Sequence, residues 1–393
     1  MPETPVYMDN HATTRVDPRV VQSMVATFEN DYGNAGSTGH VFGEKARDLV
    51  EQARGTIASV INANPREIVF TSGATESNNL AIRGLVDSKR RKGNHIVSVT
   101  TEHKAVLDPL EKMARREIDV TLLPTVGYDS DKAGLLDVDS VADAIREDTF
   151  LVSVMLANNE TGVIQPLKEI AALCKQRDVL LHTDATQAVG KIPVDVVDLD
   201  VDLMSFTAHK IYGPKGIGGL FVRRRSPQVR LNAQIDGGGQ ERGMRSGTLN
   251  VSGIVGFARA LEICAEEMGD ESPKLAALRN RLWEGLARQI DGIELNGPAL
   301  DSGIRLDANL NVRFADVDGE ALLLNMPDLA VSSGSACTSA NPQPSHVLQA
   351  LGLSEDLTRS SLRFGLGRFN TQEDVDFAIE HVSQAVQRLR SLG

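Results

Sequence analysis

Lys210 stands where an apolar strand pattern stops. Val201-Asp202-Leu203-Met204-Ser205-Phe206 reads as a largely buried strand, and Tyr212-Gly213-Pro214-Lys215-Gly216 beyond the lysine cannot continue as a helix. An amine fixed at a strand-to-loop edge, beside the hydroxyl of Thr207 and the imidazole of His209, suits Schiff-base chemistry with an aldehyde cofactor. Such an amine needs surroundings that can lower its pKa. A surface lysine in a turn would look the same in so short a segment.

Cys337 is the second reactive candidate. It lies in Val331-Ser332-Ser333-Gly334-Ser335-Ala336-Cys337-Thr338-Ser339-Ala340-Asn341-Pro342, a run of small polar residues with no apolar face to bury a thiol. An exposed cysteine is a liability unless it reacts, so this one reads as a functional thiol. Cys174 and Cys264 sit among apolar helical neighbours and read as core. The absence of a C-x-x-C pair argues against a zinc site or a dithiol couple.

Positioning these groups falls to alternating strands and helices from about Ile68 to Val222, the pattern of a mainly parallel sheet covered on both faces. Ile68-Val69-Phe70 runs into Thr71-Ser72-Gly73-Ala74-Thr75 and then a helix, a strand-turn-helix whose free N–H groups can bind phosphate. On sequence alone Ser72 and Thr75 read first as helix caps. Ile96 to Val99 leads to His103, a candidate by position, although a lone histidine is more often structural. Leu151 to Leu156 leads to Asn159, and Val179 to Leu181 leads to Asp184 and Gln187. Thr75, His103, Asn159, Asp184, Gln187 and Lys210 all follow strands, and such ends share one rim of an open α/β sheet.

The flanking segments say less. Met8 to Thr14 is polar and carries no periodicity, and Asp17-Pro18 reads as a helix start. Asp236 to Thr248 is a glycine-rich loop with two arginines, suited to an anion or a subunit contact. A helix follows from roughly Val251 to Met268. From about Lys274 the pattern turns to a smaller α+β region. There, Arg363 and Arg368 are an odd number of residues apart in a strand-like run, so at most one can face a site.

Lys+Arg 41 against Asp+Glu 53 gives a net charge of −12 over 393 residues, which disfavours nucleic acid and anionic membranes as partners. The basic runs Lys89-Arg90-Arg91-Lys92 and Arg223-Arg224-Arg225 read as solvated surface. No secretory leader or apolar span is apparent, so a cytoplasmic location is expected.

Taken together, Asp9–Pro18, Thr71–Asn79, Thr101–Val106, Asn158–Gly162, His182–Gln187, Ser205–Gly216, Gly237–Thr248, Ser333–Ser339 and Leu362–Arg368 resemble the cysteine desulfurases. These are pyridoxal-phosphate enzymes of the aminotransferase class V group. The resemblance implies an α/β fold of fold type I, with a mainly parallel large domain and a smaller α+β C-terminal domain. The expected division is residues 1–15 packing near the site, 16–260 binding the cofactor, and 261–393 carrying the Cys337 loop.

The resemblance also assigns roles. Lys210 would bind pyridoxal 5′-phosphate, Asp184 would pair with the pyridine nitrogen, and His103 would stack on the ring and move protons. Gln187 and Asn159 would lie near the ring oxygen and the substrate. Ala74, Thr75, Thr207 and His209 would hold the phosphate, joined by Thr248 from a partner subunit, which implies a homodimer. Arg363 would take the carboxylate of L-cysteine. Cys337 would accept its sulfur as a persulfide and pass it to an acceptor protein, as in the longer-loop branch that supplies iron–sulfur clusters. No resident metal is implied, only a transient iron–sulfur contact through Cys337. Gly365 stands where many relatives have serine, and the chain ends at Gly393 without the longer tail with which some relatives dock a scaffold. The alternatives are a selenocysteine lyase, an epimerase or an aminotransferase on the same fold, or a binding protein that has lost the chemistry.

Overall fold

A computed structural model describes residues 2, 4–88, 93–225, 228–333 and 343–392. The Lys89–Lys92 run and Cys337 lie outside these residues. The strands are β1 (Val6–Tyr7), β2 (Ile68–Thr71), β3 (His95–Val99), β4 (Asp119–Leu123), β5 (Thr149–Ser153), β6 (Leu180–Asp184), β7 (Leu203–Thr207), β8 (Gly218–Val222), β9 (Ile293–Leu295), β10 (Asn309–Phe314), β11 (Leu329–Ala330), β12 (Ser332–Ser333) and β13 (Ser361–Gly365).

A seven-stranded sheet in the order β2-β8-β7-β6-β5-β3-β4 forms the centre of the larger part. β4, β3, β5, β6 and β7 pair in parallel, and β8 is antiparallel to both of its neighbours. The strands β5, β7 and β8 are buried throughout, as expected for a sheet covered on both faces. Val97, Val99, Val152, Met204 and Phe206 enter one core, and Ile96, Leu151, Leu203 and Leu220 enter the core on the opposite face. This alternation turns the strand ends, rather than the strand middles, toward solvent.

The helices that cover the sheet are α1 (Pro18–Asn30), α2 (Val41–Val60), α3 (Ala74–Val86), α4 (Lys104–Ala114), α5 (Val138–Ala144) and α6 (Leu167–Gln176). The next, α7 (Val251–Gln289), runs on well past Met268 through Pro273. Proline removes one helical hydrogen bond, but Leu275, Leu278, Leu282 and Leu286 bury their side chains beyond it and hold the helix together. α7 thus spans residue 260 without a break and contributes to two cores.

The second core is built on the antiparallel sheet β12-β13-β10-β9 with α8 (Gly319–Leu324), α9 (His346–Ala350), α10 (Glu355–Arg359) and α11 (Gln372–Arg390) nearby. Val6 and Met8 belong to this core, since β1 pairs in parallel with β11. The polar stretch after Met8 then crosses back to the large sheet. Cys174 and Cys264 are buried, and burial pushes both thiols up to about 12, in keeping with inert core residues. Arg223 departs from the expected solvated surface: its guanidinium is half-buried and donates to Asp200 and the Val201 carbonyl. No helix among the described residues is long and apolar enough to cross a membrane.

Candidate active site

The rim of the large sheet opens into a cavity of about 500 Å³, within the usual range for small-molecule sites. His103, Asn159, Asp184, Gln187, His209 and Lys210 line it from strand ends, Ala74 and Thr75 from the start of α3, and Arg363 from the small sheet. The convergence expected from sequence is therefore present for these residues. Thr207 and Thr248 are not among the lining residues. The Thr207 hydroxyl is buried and donates to the Ile217 carbonyl at 3.1 Å, and Thr248 is exposed on the surface of the chain.

Lys210 follows β7 in a single 3₁₀ turn, Ala208–Lys210, and its Nζ donates to the carbonyls of His11 and Ala12 at 2.5 Å each. The amine is thus held by the polar N-terminal stretch, which has no periodicity of its own but is expected from the resemblance to pack near the site. His209 contacts the Thr13 hydroxyl at 3.2 Å through Nδ1. Burial first, and then the charges of Lys210, Lys215 and Lys191, push His209 down to about 4. It is a neutral polar group here.

At the other side, Asp184 ends β6. One carboxylate oxygen accepts from Asn78 Nδ2 at 2.7 Å and the other from the Thr186 backbone N–H at 2.9 Å. Asn78 was not singled out from sequence, although a buried asparagine on the helix after a strand end could have been. Glu102, buried beside this pair, accepts from the Met155 N–H at 2.5 Å. Burial and then the Asp184 charge push it well above the usual carboxylate range.

His103 does two jobs. Its Nδ1 accepts from the Ala105 N–H at 3.0 Å and so caps α4, while the ring lines the cavity. An accepting Nδ1 carries no proton, which leaves the N–H of the neutral ring at Nε2. Burial lowers its pKa, with Lys210 and His346 acting the same way and Asp184 opposing. Because the neutral form persists as pH falls, kcat/KM should hold level down through pH 6.5, the ordinary histidine value. Its acid limb should appear only below that value, and a pH–rate profile checks this. His103→Gln should cost on the order of 100-fold at neutral pH.

The helix start at α3 corrects one expectation. Gly73, with φ of 154°, is the N-cap and offers no side chain, so neither Ser72 nor Thr75 caps the helix. The first-turn N–H groups thereby face the cavity without a side-chain cap, a favourable setting for an anion. Glu76 accepts from the Ser72 N–H at 2.7 Å and is paired with Arg245 at 2.8 Å. That pairing offsets the negative charge beside the helix start.

Arg363 is buried, with Nη2 on Asp9 at 2.8 Å and Nη1 on the Asn159 carbonyl at 3.1 Å; its Nε has no partner among the described residues. A buried guanidinium with a donor to spare suits an incoming carboxylate. Arg368 turns away and pairs with Asp17 at 2.8 Å and Glu271 at 2.9 Å, so only one of the two arginines enters the site; it lies beyond the end of β13 at Gly365, so the turn after the strand, not strand alternation, separates it from Arg363. Gly365 is also accounted for. A Cβ there would stand 2.8 Å from both the backbone N and the Cδ2 of His11, so the N-terminal stretch fills the space a side chain would need.

Described residues on either side of the Cys337 loop contact residues at or next to the cavity lining. Ser332 pairs with Arg363 across β12 and β13, and His346 contacts the Glu102 carbonyl at 2.8 Å. Ser345 is tied to Glu160 by a short hydrogen bond.

The residues fit pyridoxal 5′-phosphate. The cavity joins an amine, an uncapped helix start, a neutral imidazole and a carboxylate held by two donors, and the buried Asn78 Oδ1 and Thr186 Oγ1 lack partners among the described residues.

Residues 6–377 match the aminotransferase class-V family. Cysteine desulfurase IscS of Anaeromyxobacter dehalogenans (strain 2CP-C) is 52% identical over 388 residues, covering 99% of this chain and 94% of the relative. A solved NifS-like protein superposes with a TM-score of 0.89 at 36% identity, over 98% of this chain and 99% of its own. SspA in complex with cysteine gives 0.79 at 35% identity, over 93% and 99%. Sequence, fold and cavity thus agree, and the chain belongs to the aminotransferase class-V family and, within it, to the cysteine desulfurases, which work with pyridoxal 5′-phosphate.

Proposed function

We propose that the protein converts L-cysteine to L-alanine, moves the sulfur to Cys337 as a persulfide, and donates it to an acceptor protein in the cytoplasm. The observation that carries this reading is the single cavity in which Lys210, Asp184, His103 and Arg363 meet. The bound cofactor supplies an electron sink for the bonds around the substrate Cα.

The chain's own residues do the rest. Lys210 would hold the aldehyde carbon and exchange protons at the substrate Cα, and the uncapped start of α3 would receive the phosphate. Asp184, fixed by Asn78 and Thr186, would face the ring nitrogen, while Gln187 and Asn159 face the ring oxygen and substrate. Arg363, braced by Asp9, orients the substrate carboxylate. The Cys337 thiolate forms an S–S bond to the substrate sulfur as the Cβ–S bond breaks. The electron pair goes to Cβ, which takes a proton and leaves as alanine.

Mass spectrometry after incubation with cofactor and L-cysteine tests the reading. One added sulfur on the Cys337 peptide, with matching alanine, is expected. Bound cofactor without added sulfur would move the reaction to a selenocysteine lyase, an epimerase or an aminotransferase.

The working unit is a homodimer. Phe28, Tyr32, Val41 and Phe42 are all exposed on or beside α1 and α2, and the rings of Tyr32 and Phe42 stack at 5.5 Å. Such a cluster calls for a cover. Thr248, exposed on its own chain, would complete the phosphate site of the partner. Thr248→Arg should weaken cofactor affinity about tenfold, or 1.4 kcal/mol, while sedimentation shows the dimer intact. At a cofactor concentration that leaves the Thr248→Arg homodimer mostly empty, mixing it with Lys210→Ala should recover activity that neither homodimer shows there. Unchanged affinity in an intact dimer would refute the shared site.

A further inference from the structure

The steps above leave one buried titratable side chain of the cavity unused. His11 is 1% exposed, and its ring lines the cavity beside the residues already assigned.

Its surroundings fix its protonation. The Gln187 amide lies between Lys191 Nζ, 2.5 Å from one end, and the backbone carbonyl of His11, 2.9 Å from the other. A carbonyl only accepts, so the end facing it is Nε2, and the end facing the lysine is Oε1. Burial and Lys210 push Lys191 down to about 7, but the His11 carbonyl holds the same amide orientation whichever form the lysine takes. Oε1 also lies 3.1 Å from His11 Nδ1, so Nδ1 carries the proton and donates.

A neutral ring protonated at Nδ1 has a bare lone pair at Nε2. That atom is buried and has no hydrogen-bond partner among the described residues. Protonation offers no relief, because burial first, then the charges of Lys191, Arg363 and Lys210, hold the imidazole well below its ordinary pKa; the bond to Gln187 acts the other way. An unsatisfied buried acceptor costs stability until something supplies a donor.

We propose that His11 is a substrate-binding residue: a neutral acceptor whose Nε2 takes an N–H or S–H of L-cysteine, in the tautomer set by Gln187. The proposal rests on the desulfurase reading for the identity of the ligand. No proton passes to His11, and the ring stays neutral through turnover. Gly365 belongs to the same device, since only the absence of a Cβ there admits the ring and backbone of His11.

Two measurements test it. In cofactor-loaded protein carrying 15N-histidine, with His11 assigned by difference against His11→Gln, the ring should be protonated at Nδ1 and show no titration between about pH 6 and 9. An Nε2–H tautomer, or an imidazolium in that range, overturns the proposal. In kinetics, His11→Asn can still donate to Gln187 but offers no acceptor where Nε2 stood. It should raise KM for L-cysteine roughly three- to tenfold with little change in kcat. The longer amide of His11→Gln should restore most of the loss. An unchanged KM in a folded, cofactor-bearing His11→Asn protein also overturns the proposal.

Binding of L-alanine to the same variants separates the two donors. Equal weakening of L-alanine and L-cysteine assigns the contact to the ammonium, and weakening of L-cysteine alone assigns it to the thiol. Were the wild type to bind both amino acids yet release no sulfur, the desulfurase reading would fail while the tautomer and L-alanine binding would still decide the role of His11.

Discussion

Lys210→Ala leaves a folded protein that forms alanine from L-cysteine at least about 10³-fold more slowly, at the upper part of the range for loss of a positioned acid–base group. The fold should survive, because the lysine lies at a rim. Its removal strips one donor from the His11 carbonyl, which keeps Gln187, and one from the Ala12 carbonyl. A loss of about 1–2 kcal/mol is the expected scale. Of the other amines nearby, Lys191 is engaged with Gln187, and Lys215, which also lines the cavity, is exposed to solvent. The visible absorption of the bound cofactor should be lost along with the activity, and a spectrum and an alanine assay on the same sample read both. Retained turnover would remove Lys210 from the chemistry.

Cys337→Ala separates the two halves of the reaction. Cofactor binding and its spectrum should match wild type, because the cavity residues that would hold the cofactor lie on other elements. Sulfur transfer to the protein should be abolished, and alanine formation should fall by about 100-fold or more, the usual scale for loss of a reacting group. Cys337→Ser should behave the same way, since a hydroxyl cannot accept the sulfur as a persulfide. Undiminished alanine formation in either variant would sink the assignment of Cys337 and favour a relative in which no protein thiol takes part.

The parts of the site that follow strands were legible because apolar alternation and the polar residue that ends it are local properties. Asp184, His103, Asn159 and Lys210 each announce themselves within a few residues. Other parts depend on contacts between distant segments. Asp9 acquires its meaning from Arg363, and His11 from Gln187 and Gly365, across most of the chain length. No periodicity in Met8–Thr14 could convey that.

Elsewhere one local rule overrode another. Ser72 and Thr75 are good capping residues, but Gly73 adopts a backbone that suits glycine and takes the cap position itself. Pro273 is a stop signal that four buried leucines outweigh. Lys191 looks like any turn lysine until its burial is known.

Gly365 limits how this enzyme can be recombined with its relatives. A serine placed there alone meets the backbone nitrogens of His11 at 2.8 Å and Asn10 at 3.0 Å, so trimming the histidine ring does not make room. The stretch after Met8 and strand β13 are also stitched together by backbone hydrogen bonds from Gly365 to Met8 and from Asn10 to Gly365. The smallest module that can be swapped into a chimera is therefore this pair of segments, taken from one parent. Crossovers that split the first dozen residues from the Arg363 strand should yield the poorest folders in a shuffled library.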